Sequence, residues 1–119
     1  MSNIQGNIDL LLSLLDHASK LKSSKFIDVE NIIQKMNNEL GLIKNEYDGV
    51  LLGGVINPLF CMLEKLVIMC LYAQEYIHIV CENGLLIDEN HLIIANQMIK
   101  QVEIITEEIH MLKVKLCSS

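Results

Sequence analysis

The sequence predicts an all-α fold: four amphipathic helices with heptad seams, packed as an antiparallel helical bundle or as elongated helical hairpins. Apolar residues recur at alternating spacings of four and three along four segments that account for most of the 119 residues. A stripe repeating every 3.5 residues keeps facing its neighbour only when helices wrap around one another with a left-handed twist. The breaks between the segments are short and carry turn residues, Lys-Ser-Ser-Lys at 22–25, Gly53-Gly54 and Asn83-Gly84, and short connections favour antiparallel neighbours. The chain reads as a single helical domain over 1–119.

The first helix is predicted over about 3–20, capped by Ser2 or Asn3, with the seam Ile4, Ile8, Leu11, Leu15 and Ala18. The second, about 29–51, starts after Asp28 as its cap and carries Val29, Ile33, Met36, Leu40, Ile43, Tyr47 and Val50. Its interior Gly41 costs about 1 kcal/mol relative to Ala, which points to close approach by a neighbouring helix. Asn57-Pro58 opens the third helix, about 58–83, because Asn caps and Pro suits the first turn. Its seam is Leu59, Leu63, Leu66, Cys70, Ala73, Ile77 and Val80. The fourth, about 90–116, has the longest unbroken seam, Ala95, Met98, Val102, Ile105, Ile109, Leu112 and Leu116. These seven positions, with Leu59, Leu63, Leu66, Ile77 and Val80, are the expected interaction seam.

Composition narrows the function classes. Hydrophobic residues make up 51% and charged residues only 20%, and mean hydropathy is +0.36, so part of the apolar surface is expected to be covered by another protein. A membrane span is not expected. The longest apolar run, Leu66 to Ala73, falls far short of the roughly 20 residues needed. The opening Met-Ser-Asn-Ile-Gln-Gly has no basic flank or cleavage site, so a cytoplasmic location with reduced thiols at Cys61, Cys70, Cys81 and Cys117 is expected. The net charge is −6 and every basic residue is Lys, which argues against direct nucleic-acid binding, since that work favours Arg and a basic stripe. Lys20, Lys22 and Lys25 form the only basic cluster and read as a solvated helix end.

One constellation resembles chemistry. Glu75-x-x-His78 and Glu107-x-x-His110 are the paired motifs of a di-iron carboxylate bundle. On the heptad frames both glutamates occupy position f and both histidines position b, facing away from the seams. In a hairpin of the last two helices Glu75 opposes about residue 99, leaving Glu107 roughly 12 Å out of register. Gly53-Gly54 lacks the surroundings of a phosphate loop, and no nucleophile–base set stands out. No catalytic residue, cofactor or metal is expected, and the chain reads as a non-enzyme.

Ser2-Asn3-Ile4-Gln5, Met36-Asn37-Asn38-Glu39-Leu40, and Asn96-Gln97 followed by Glu103-Ile104 and Glu107 resemble, in order and approximate spacing, the second subunit of the augmin (HAUS) complex. The chain is much shorter than the vertebrate members and closer to a reduced, insect-type small subunit. The resemblance implies a non-catalytic spindle or centrosome protein in a complex that recruits γ-tubulin so that new microtubules branch from old ones. The expected function is a helical scaffold subunit of a hetero-oligomeric complex, its partners other helical or coiled-coil subunits. The alternative is a self-sufficient small bundle, a viral or bacterial effector or a homodimeric adaptor, that binds a partner helix.

Overall fold

A computed structural model describes residues 2–21, 26–53, 56–82 and 89–118, and the side chains of most of these. Four helices follow one another, α1 (Ser2–Lys20), α2 (Phe26–Gly53), α3 (Ile56–Glu82) and α4 (Glu89–Ser118), with no strand among the described residues. Among the described residues each helix lies beside two neighbours, α1 beside α2 and α4, and α3 beside α2 and α4. That ring is a closed four-helix bundle rather than a pair of extended hairpins. Its neighbours run antiparallel, since Gln5 meets Asn37, Lys65 meets Glu39, Gln74 meets Glu103 and Lys113 meets Glu64. The principal extents are 51 × 20 × 18 Å, and a 30-residue helix is about 45 Å long, so α4 spans nearly the whole bundle.

The core is the predicted seams turned towards one another. Ile4, Ile8, Leu11, Leu15 and Ala18 of α1, Val29, Ile33, Met36 and Leu40 of α2, and Leu63, Leu66, Cys70, Ala73, Ile77 and Val80 of α3 form one cluster with the α4 residues from Ile94 to Leu112. No member is more than 8% exposed. Cys70 and Ala73 are the small members of the α3 seam, in one cluster with the branched Ile8, Ile33 and Ile105 of the other helices, and mixing small with branched side chains helps a core to fill. The side chains of Ile43, Tyr47, Val50, Leu59 and Leu116, expected on the seams, lie outside the described residues, as do Lys22, Lys25 and Asn83-Gly84.

Three local expectations are corrected. Helix α2 begins at Phe26, not after Asp28, so Asp28 lies in the first turn, where its carboxylate faces the positive end of the helix dipole. Helix α3 begins at Ile56, which leaves Pro58 in the first turn, where its missing N–H has no intrahelical partner to lose. Gly41 is exposed, and a Cβ built there would meet nothing within 4 Å. No helix approaches it closely, and the structure offers no packing reason for a glycine there. Gly6 is equally open.

Three outcomes follow for stability. Gly6→Ala and Gly41→Ala should each stabilise the protein by about 1 kcal/mol, read as a rise in Tm of roughly 4 °C per substitution. Val102→Asp or Ile109→Asp places an unpaired charge in the core and should cost several kcal/mol. Glu103→Lys and Glu107→Lys, at exposed positions, should leave the melting curve nearly unchanged.

Candidate interaction face on the third helix

The expected interaction seam lies inside the chain's own core. Ala95, Met98, Val102, Ile105, Ile109 and Leu112 of α4, with Leu63, Leu66, Ile77 and Val80 of α3, are buried against the other helices of the bundle. Leu59 and Leu116 lie on the same helices. Surface available to another molecule is therefore carried by the outer faces.

Helix α3 is unusual there. The segment Leu66-Val67-Ile68-Met69-Cys70-Leu71-Tyr72-Ala73 is apolar all round, a pattern typical of a helix buried on every side. In the bundle only its inner half is covered. Ile68, Leu71, Tyr72, Tyr76 and Ile79 point outward at 38–58% exposure, within an arc of about 140° at 3.6 residues per turn. Val67 and Met69 are half-buried beside them. Charge bounds the patch at its two ends, with Glu64 and Lys65 at one and Glu82 at the other, and Glu75 stands within it between Tyr72 and Ile79; all four are exposed. Lys65 Nζ lies 3.7 Å from Glu39 and Lys113 Nζ 3.6 Å from Glu64, mostly exposed pairs of the kind that contribute at most about 1 kcal/mol. The outer face of α4 differs. Its exposed apolar residues, Leu92 and Ile93 near one end and Met111 and Val114 near the other, are separated by Asn96, Gln97, Lys100, Glu103 and Glu107, with Ile104 alone between them.

The remaining polar architecture holds helices together. Gln101, 6% exposed, donates through Nε2 to Asn7 Oδ1 at 2.6 Å, and Asn7 Nδ2 donates to Glu108 Oε1, tying α1 to α4 inside an otherwise apolar contact. Gln5 does the same towards α2 by donating to Asn37 Oδ1 at 2.7 Å. At the α3–α4 end, Lys113 Nζ stands 5.8 Å from the centre of the Phe60 ring, a cation–π distance.

The two Glu-x-x-His motifs are on the outside. Glu75, His78, Glu107 and His110 are exposed, and among the described residues no group of three or more His, Cys, Asp or Glu side chains could hold a metal ion. The hairpin register is corrected too. The Gln74–Glu103 hydrogen bond puts Glu75 opposite about residue 102 rather than 99, because α3 and α4 are separated by 83–88. No described helix is long and apolar enough to cross a membrane.

Sequence reading missed Ile68, Leu71, Tyr72, Tyr76 and Ile79 as site residues. The signal is the all-round hydrophobicity of residues 66–73, of which the heptad seam uses only Leu66, Cys70 and Ala73. Compared with protein-family models, curated proteins and solved structures, the chain matches none.

The thiols divide by environment. Burial pushes Cys70 from 9.0 up to about 11, partly offset by its hydrogen bond with Thr106, and burial followed by the Glu82 charge raises Cys81. Cys61 and Cys117 are exposed and free. Exposed thiols should react with a maleimide within the mixing time, whereas Cys70 should react only as the bundle opens. A thiol that holds its proton more tightly when folded contributes stability that is intact below about pH 9 and lost as pH rises through about 11. Urea midpoints measured at pH 8 and at pH 10.5 should therefore fall further for the wild type than for Cys70→Ala.

Proposed function

We propose that this chain is a non-catalytic helical scaffold, a subunit that assembles a larger complex through its outer helical surface. The observation that carries this reading is α3: its inner seam is filled by the chain's own helices, while Ile68, Leu71, Tyr72, Tyr76 and Ile79 stay in water on the other side. Fully burying a Leu or Ile side chain is worth roughly 1.5–3 kcal/mol; Ile68, Leu71 and Ile79 are about half exposed, so covering them, with the two tyrosines beside them, supplies a few kcal/mol for association before ordering costs are subtracted. The resemblance of Ser2-Asn3-Ile4-Gln5, Met36-Asn37-Asn38-Glu39-Leu40 and Asn96-Gln97 to the augmin small subunit supports a spindle complex that promotes γ-tubulin-dependent microtubule branching as the assembly to test. The second reading is a self-sufficient bundle that binds one partner helix, favoured by the closed ring in which each helix packs against two others of the same chain.

Affinity purification of the tagged chain from its native cells tests both. Recovery of a defined set of helical subunits is expected. Ile68→Glu combined with Ile79→Glu should abolish that recovery while leaving the circular-dichroism melt within a few degrees of wild type, since both side chains are exposed. Depletion of the protein should thin microtubules in the spindle body, and normal spindles would remove the augmin reading. A single co-purifying protein would favour the self-sufficient bundle.

A further inference from the structure

Helix α3 carries a second heptad seam on its solvent side. Cys61, Lys65, Ile68, Tyr72, Glu75, Ile79 and Glu82 follow one another at spacings of four and three, and each is exposed. We propose that this outer seam is a homodimer interface, in which α3 of a second copy of the chain packs antiparallel against it about a twofold axis at the level of residue 70. The proposal deepens the scaffold reading by committing to the occupant of this face.

Charge selects the direction. In a parallel pair each seam residue meets its own copy, setting Lys65 on Lys65, Glu75 on Glu75 and Glu82 on Glu82, and like charges at close quarters are unfavourable. In an antiparallel pair the two kinds of seam position alternate across the interface. Centring the axis at residue 70 places Lys65 level with Glu75 of the second copy, Ile68 with Tyr72, and Cys61 with Ile79, each pair occurring twice by symmetry. On the flanks Leu71 meets its own copy and Met62 meets Tyr76, an apolar match with a favourable sulfur–aromatic pairing. No like-charge pair arises among these positions. Moving the register by one heptad, so that Lys65 meets Glu82, sets Tyr72 against Glu75 at the centre, where a carboxylate is most costly to desolvate, and shortens the overlap.

Size sets the strength of the pair. The span from Phe60 to Val80 is about 30 Å long and a helix with its side chains is about 10–12 Å across, so the α3–α3 strip covers roughly 300–350 Å2 per partner, the size of a weak, reversible pair rather than an obligate one. Each chain carries a net charge of −6, so the general field opposes pairing and the two Lys65–Glu75 contacts have to act locally against it.

Sedimentation equilibrium of the purified chain should give twice the 13.5 kDa chain mass at high micromolar concentration. Lys65→Glu should raise the dimer dissociation constant by at least about tenfold, and adding Glu75→Lys to it should restore the wild-type value. With the surface thiols removed by Cys61→Ser, Cys81→Ser and Cys117→Ser, Leu71→Cys should form a disulfide-linked dimer under mild oxidation. All these substitutions except Cys81→Ser are at exposed positions, and the circular-dichroism melt of each variant verifies its fold. A monomer at high micromolar concentration, a dimer indifferent to Lys65→Glu, or rescue by Glu82→Lys in place of Glu75→Lys would overturn the proposal. If the chain is monomeric yet Ile68→Glu with Ile79→Glu still abolishes recovery of its partners, the dimer fails and the scaffold reading stands. A dimer with the predicted charge rescue that recovers no other protein would support the dimer and remove the scaffold reading.

Discussion

Everything in this molecule depends on the mutual burial of four 3.5-residue seams. Each seam is too narrow to satisfy a helix with neighbours all round, but wide enough to be covered by two. Four such helices close into a ring in which every helix has two neighbours and none lacks a cover. The near-complete burial of the described seam residues, Ile4 on α1 and Leu112 on α4 among them, means that their apolar driving force for folding is used within one chain. Whatever the protein does with other molecules is left to its outer surface.

That division of labour is uneven among the helices. Among the described residues the outer faces of α1, α2 and α4 are largely polar or interrupted by charge, whereas α3 stays apolar on both sides through residues 66–73. Its inner seam takes small residues, Cys70 and Ala73, where the branched side chains of the other helices crowd the centre. Its outer side keeps the large Ile68, Tyr72 and Tyr76. A helix built in this way belongs simultaneously to a core and to an interface, and the same turn of backbone positions both.

The sequence made the fold legible because heptad spacing is a local property: counting fours and threes predicted four helices and the side of each that is buried, from Ile4 in α1 to Leu112 in α4. It was poorer at the ends of elements, as the start of α2 at Phe26 shows, because cap chemistry at Asp28 competes with tertiary packing. Ring closure was not legible either, since periodicity is the same in a bundle and in a hairpin. The outer face of α3 was visible as composition but not as a site. The heptad count turns Leu66 inward and leaves Ile68 off the seam, but whether another helix of the chain covers Ile68 depends on where the other three stand, and that is a three-dimensional fact.

The contact among Asn7, Gln101 and Glu108 bears on a different problem. A perfectly repeating stripe cannot tell one heptad from the next, so α1 could slide by seven residues and still present apolar side chains to the core. In such a slipped arrangement Leu14 would stand where Asn7 does now, and the buried Gln101 amide would lose its side-chain acceptor and keep only the longer contact to a backbone carbonyl, at a cost of about 1 kcal/mol. One aperiodic polar mark thus gives a degenerate ruler its zero point, much as a single buried Asn fixes the alignment of a two-stranded coil.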